Sequence, residues 1–150
     1  MTTKTLIPRK HWSKYLYAIL GGECELYLLG SCEKRISGEA IFRETQEDKP
    51  GYRNPLGSHL TNLSAEVIAQ QLIIGHYCRE FGETKHNLGE FVGREVGVRM
   101  KRGISLDDPV SCEIDITHER NVEDGIFGKY TFSLNCGAFT GHISGIIPTG

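Results

Sequence analysis

The sequence predicts an α+β domain in which an antiparallel β-sheet wraps around one long central helix. The stretch Leu63–Phe81 contains no proline and carries apolar residues on more than one helical face, which is typical of a helix buried on most sides. Strand-like stretches with alternating apolar and polar residues lie on both sides of it in sequence. A sheet can bury one whole face against such a helix, and this favours the α+β class.

The central helix has recognisable ends and one unusual interior residue. Thr61 and Asn62 are candidate N-caps, and Gly82 follows the last predicted helical residue, where a left-handed cap would lie. Gly75 falls inside the helix, where glycine costs about 1 kcal/mol relative to alanine. We therefore expect a backbone to approach the helix closely at Gly75, for example across a dimer contact.

The remaining elements follow from periodicity and turn residues. A first helix is predicted over Pro8–Leu20, two strands follow over 24–35 and 36–45, and Gln46–Ser58 forms a loop rich in proline and glycine. Four further strands are predicted over Glu90–Arg102, Val110–Arg120, Phe127–Cys136 and Ala138–Ile147. This order of helix, strands, long helix and strands is that of the hot-dog fold.

Composition restricts the class of protein. At 150 residues, with a formal net charge of −2, the chain is predicted to be one domain spanning residues 1–150, with no bias towards nucleic acid. Its five cysteines form no C-x-x-C motif, which favours a reduced, cytoplasmic protein over a disulfide framework. Met1–Lys14 lacks the apolar core of a signal peptide, and no apolar run reaches bilayer length, so we expect no membrane insertion.

Polar residues near the start of the central helix mark the candidate site. Asn62, Glu66 and Gln70 recur at i+4 spacing and so form a polar stripe on one face of an otherwise apolar helix. The helix N-terminus supplies free N–H groups and partial positive charge, which suit a developing oxyanion. A simpler alternative is that Glu66 points to solvent near the first turn, while Gln70 and Gln71 bond to loop backbone.

The segment YRNPLGSHLTNLSAEVIAQQ, residues 52–71, resembles the loop and helix of hot-dog enzymes, most closely the FcoT-type long-chain acyl-CoA thioesterases. The family motif places a Tyr in the loop, then Gly-His, then Asn at the helix start, then Glu and a second amide. The corresponding residues in this sequence are Tyr52, Gly57, His59, Asn62, Glu66 and Gln71. This sequence differs from the motif by one extra residue between Gly57 and His59, and by Gln71 in place of Asn.

The resemblance implies hydrolysis of acyl thioesters of coenzyme A or acyl carrier protein by a homodimer or higher homo-oligomer. It implies catalytic roles for His59, Asn62, Glu66 and Gln71, with Glu66 as general base and Gln71 holding the water. The implied substrate contacts are Tyr52 and Gln70, an acyl tunnel lined by Val67 and Ile68, and phosphate contacts from Arg99, Lys101 and Arg102, which could equally be a solvated face.

No cofactor is expected beyond the coenzyme A or phosphopantetheine of the substrate, and no metal, because the six histidines lack metal-ligand spacing. The absence of G-x-S-x-G argues against a serine hydrolase. Two alternatives remain open: a 3-hydroxyacyl thioester dehydratase or hydratase using His59 and Glu66, and a non-catalytic acyl-binding accessory protein.

Overall fold

The computed structural model describes residues 4–8, 11, 24–30, 34–42, 60–81, 92–123 and 125–148. In these ranges the chain forms the central helix, Asn62–Phe81, and a seven-stranded sheet. The strands are β1 (Thr5–Leu6), β2 (Cys24–Leu28), β3 (Arg35–Phe42), β4 (Val92–Met100), β5 (Val110–Val122), β6 (Gly125–Leu134) and β7 (Phe139–Pro148).

Every neighbouring pair of strands is antiparallel, in the order β1-β2-β3-β5-β6-β7-β4. The six predicted strands are confirmed, with shorter limits for the first two. Of the predicted first helix only Pro8 and His11 are described, and the loop Gln46–Ser58 lies outside the described residues. In the part of the chain that is described, no helix combines the length and the apolarity needed to cross a bilayer.

The predicted end of β6 is wrong, and the backbone conformation explains why. We predicted that β6 continues to Cys136, but it ends at Leu134. Asn135 and Cys136 have φ angles of 46° and 56°, in the left-handed region that a strand cannot contain. These residues turn the chain into β7 instead.

The central helix packs against one face of the sheet and forms the core with it. On β5, Val110, Cys112 and Ile114 are buried while Ser111 and Glu113 are exposed, so the period-two pattern separates a helix side from a solvent side. On β3, a Cβ added at Gly38 would lie 2.5 Å from Leu72 Cδ2, so the absence of a side chain lets the helix approach the strand.

Gly75 lets another segment of the same chain lie close to the central helix. A Cβ at Gly75 would lie 2.7 Å from Ile7 Cδ1 and 3.2 Å from Ile7 Cγ1. Ile7 follows β1 directly, is 3% exposed, and its backbone N donates to Leu26 O at 2.8 Å. A close approach is thus present at Gly75, but the prediction that a backbone makes it is wrong, because the side chain of Ile7 fills the space.

Candidate active site at the start of the central helix

The start of the central helix is capped by Thr61. The Ser64 N–H donates to Thr61 Oγ1 at 2.9 Å, and the Ala65 N–H donates to the Thr61 carbonyl at 2.9 Å. Thr61 is therefore the N-cap, and Asn62 occupies the first helical position. The N–H groups of Asn62 and Leu63 donate to no described residue, and both residues are exposed. Two N–H groups at the positive end of the helix are thus left without a partner among the described residues.

The polar stripe predicted from i+4 spacing is present. Gln70 Nε2 donates to Glu66 Oε1 at 2.9 Å, which fixes the carboxylate one turn beyond Asn62. Glu66 is half-buried and Gln70 is 9% exposed, so the stripe passes from solvent at Asn62 into the interior at Gln70. A half-buried carboxylate one turn from N–H groups that no described residue accepts from can take a proton beside a site for negative charge.

The other predicted helix residues lie in the core. Gln71 is fully buried, and Val67 and Ile68 are 1% and 0% exposed. Val67 and Ile68 belong to the hydrophobic cluster between helix and sheet. Their role as lining of an acyl tunnel stays a prediction, as does the role of Gln71 in holding water. Tyr52 and His59 lie outside the described residues.

A backbone contact brings part of the predicted basic group to the helix start. Leu60 N donates to Ile104 O at 2.9 Å, and both residues are buried. Lys101 and Arg102, a few residues before Ile104, are exposed, and Arg102 Nη2 donates to Asn135 O at 2.8 Å. The chain around Lys101 and Arg102 therefore lies next to the segment that leads into the helix.

Arg99 is placed differently from its two neighbours in sequence. It is exposed on β4, at the position after Val98, whose side chain packs against the core. Because successive strand residues point to opposite faces, Arg99 points to the outer face of the sheet. Its predicted phosphate contact thus requires a ligand that reaches around the edge strand.

Sequence reasoning missed a second polar cluster, near the other end of the helix. The Tyr77 hydroxyl donates to a carboxylate oxygen of Glu119 and lies 2.9 Å from the Tyr130 hydroxyl, which is left to donate to Tyr77. Tyr77 and Tyr130 are 3% and 1% exposed. Burial is the main cause that raises the pKa of Tyr77, and burial also raises the pKa of Tyr130 to about 12.

A β-bulge explains why this cluster was missed. The β5–β6 register shifts between Ile116 and His118, so Glu119 pairs with Gly128. Gly128 is buried on the helix side of β6, so the extra residue turns the side chain of Glu119 towards the helix, although Glu119 itself stays exposed. A strict period of two, counted from the buried Ile114, would have placed Glu119 on the solvent face.

The described residues include no group of three or more His, Cys, Asp or Glu that could hold a metal ion.

Solved structures share this architecture at low sequence identity. A mutant thioesterase from Pseudomonas aeruginosa aligns over 89% of this chain and 86% of its own, with 14% identity and a TM-score of 0.56. A mutant thioesterase from Staphylococcus aureus aligns over 90% and 99%, with 10% identity and a TM-score of 0.58. A dehydratase heterocomplex from Xenorhabdus doucetiae aligns over 81% and 80%, with 14% identity and a TM-score of 0.57.

No protein-family model and no curated protein matches this sequence. At these identities the structural likeness establishes the fold. The seven-stranded antiparallel sheet packed on one long helix is the hot-dog fold predicted from the sequence, and it is shared with these thioesterases and with the dehydratase.

Proposed function

We propose that this protein is a cytoplasmic thioesterase that hydrolyses fatty acyl thioesters of coenzyme A or acyl carrier protein. The observation that carries the proposal is at the helix start, where the N–H groups of Asn62 and Leu63, which donate to no described residue, lie about one turn from the Glu66 carboxylate held by Gln70. Two of the three fold neighbours described above are thioesterases, which supports hydrolysis as the first choice.

The proposed reaction uses the two features in sequence. The thioester carbonyl oxygen lies at the helix start, where the N–H groups and the Asn62 amide stabilise the negative charge that develops on it. Glu66 takes a proton from water as the water oxygen bonds to the carbonyl carbon. The tetrahedral intermediate then collapses, the C–S bond breaks, and the leaving thiolate takes the proton from Glu66. The products are a free carboxylic acid and a thiol.

The chain around Lys101 and Arg102 supports a substrate with a phosphorylated carrier. Its position beside the helix start, through the Leu60–Ile104 hydrogen bond, supports a contact between its positive charge and the phosphates of the carrier. Arg and Lys bind phosphate oxygens by charge-assisted hydrogen bonds. Long-chain substrates are the specific class that we propose, with the acyl chain between helix and sheet.

The exposed apolar residues near β4 favour a homodimer. β4 is an edge strand of the described sheet, and Val96 and Met100 on it are 37% and 55% exposed. Both face the same side as Val98, which packs on the core, and Leu63 at the helix start is 53% exposed. Pairing of β4 with β4 of a second copy would provide hydrogen-bond partners for the backbone groups at this strand edge and would cover these side chains.

Thiol release from acyl-CoA substrates of increasing chain length tests the proposal. We expect Glu66→Gln to lower kcat by about 100-fold or more, as for loss of a general base. Glu123→Gln is the matched control, because Glu123 is an exposed carboxylate in the turn that follows β5. If wild type releases no thiol from any acyl-CoA or acyl carrier protein, hydrolysis is refuted.

The dehydratase among the fold neighbours makes a second readout worthwhile. The same samples, supplied with a 3-hydroxyacyl-CoA, would show absorbance of an enoyl thioester if the protein eliminates water. Enoyl formation without thiol release would replace the proposal with a dehydratase. Ligand binding without either product would instead identify an accessory acyl-binding protein.

A further inference from the structure

A groove lies between the N-terminal segment and the second half of the central helix. Its volume is about 370 Å³, and its walls are formed by Thr5, Leu6, Ile7, Pro8, His11, Leu28, Gly75, Cys78 and Arg79. Most of these side chains are apolar, and the volume falls within the range of roughly 300–1,000 Å³ that is usual for small-molecule sites. The groove is large enough for a single alkyl chain.

Fixed elements frame the groove. Ile7 packs directly on Gly75, and the β1 residues Thr5 and Leu6 pair with Leu28 and Tyr27 of β2. A shift of β1 towards the helix therefore cannot close the groove, because Ile7 is already in contact with the helix at Gly75. At the rim, Leu6 is 48% exposed, an apolar surface that a bound chain would cover.

One positive charge accompanies this apolar lining. Arg79 is exposed in the last turn of the helix, and it makes no hydrogen bond or ion pair with any described residue. An apolar groove with one available guanidinium complements a molecule with an alkyl chain and an anionic head. A carboxylate suits this head, because guanidinium and carboxylate can form two parallel hydrogen bonds.

We propose that this groove binds a fatty carboxylate, with its chain along Leu6, Ile7 and Cys78 and its carboxylate on Arg79. The site is separate from the candidate active site. Gly75 lies roughly 20 Å along the helix from Asn62 and about two and a half turns from Glu66, which places it on the opposite face. If the protein is a thioesterase as proposed above, this ligand is the class of its own product, bound without blocking the helix start.

Calorimetric titration with decanoate, below its aggregation concentration, tests the groove without any thioester. We expect Arg79→Gln to weaken decanoate binding by about tenfold or more, as for loss of a charge-assisted hydrogen bond. The same variant should leave the affinity for 1-decanol unchanged, because the alcohol has no charge. Arg120→Gln is the matched control, since Arg120 is an exposed arginine on β5, away from the groove.

Two further variants locate the ligand. Leu6→Gln should weaken decanoate and decanol alike, because both lose apolar contact at the rim. Glu66→Ala should leave decanoate binding intact. The proposal is overturned if decanoate does not bind, if Arg79→Gln and Arg120→Gln bind equally well, or if Glu66→Ala abolishes binding. The last result would move the ligand to the helix start, while failure of thiol release alone leaves the groove unaffected.

Discussion

Replacing Gly75 by alanine should have two opposing effects on the free energy of unfolding, and the approximate size of each is known. In a helix interior alanine is more favourable than glycine by about 1 kcal/mol. The added Cβ, however, would lie 2.7 Å from Ile7 Cδ1, 3.2 Å from Cγ1 and 3.4 Å from Cγ2. A rotamer change of Ile7 can move Cδ1 away, but the Cγ1 contact additionally requires Ile7 to shift by a few tenths of an ångström. Overpacking of this kind costs about 1–3 kcal/mol.

The two effects can be separated with Ile7→Ala, which removes all three contacting atoms. Alone, Ile7→Ala should cost about 2–4 kcal/mol, because Ile7 is a buried core residue. In that background Gly75→Ala should become stabilising by about 1 kcal/mol, whereas in wild type its effect should lie between neutral and a destabilisation of about 2 kcal/mol. The coupling between the two positions is then the overpacking cost itself, about 1–3 kcal/mol.

Urea unfolding of the four proteins, followed by circular dichroism, measures this coupling. Ile143→Ala replaces Ile7→Ala in a control cycle, because Ile143 is a buried isoleucine on β7, far from β1 in the sheet. The control cycle should be additive within about 0.5 kcal/mol. If Gly75→Ala stabilises wild type and the Ile7→Ala protein equally, Ile7 does not confine the helix at this point, and the reasoning on the groove wall fails with it.

Other outcomes follow from single contacts. Thr61→Ala should lower the free energy of unfolding by about 1 kcal/mol and Thr61→Ser by much less, because only the alanine removes the cap; equal losses would refute the cap. Ultraviolet titration should show Tyr77 and Tyr130 still protonated when ordinary tyrosines ionise near pH 10, and ionisation of all six tyrosines together in the folded protein would contradict this. A raised pKa means that the folded state holds a proton that the unfolded state releases, so stability is complete below pH 10 and falls between about pH 10 and 12 for Tyr130. Tyr130→Phe should make that decline less steep in urea unfolding, and an unchanged slope would exclude Tyr130 as its source.

The sequence was sufficient where a pattern had enough residues to repeat. The helix over Leu63–Phe81 and the alternation over Val110–Ile114 both match the structure, because burial acts on every period of those elements. β1 contains only Thr5 and Leu6, too short for any periodicity, and it was missed. The inward direction of Glu119 was missed for another reason: one inserted residue reverses the parity of a strand and leaves almost no mark in composition.

The candidate site was predictable to the extent that it is local in sequence. The spacing of Glu66 and Gln70 is sufficient to place them in contact on a helix, and the hydrogen bond between them is present. The relation of Arg102 to the helix start depends on the Leu60–Ile104 hydrogen bond, which joins segments far apart in the chain and has no signature in either. Long-range backbone pairing of this kind requires coordinates.

The polar residues Tyr77 and Glu66 of the central helix differ in their surroundings, and this difference affects how the site should be interpreted. Tyr77 lies in the interior, where its hydroxyl is satisfied by Glu119 and Tyr130, so structure alone accounts for that cluster. Glu66 is only half-buried, and a partner for its carboxylate is not needed to offset full burial. The Glu66 carboxylate satisfies the buried amide of Gln70, and it stays partly open to solvent near the start of the helix. That difference is why the helix start, and not the tyrosine cluster, is the better place to test for chemistry.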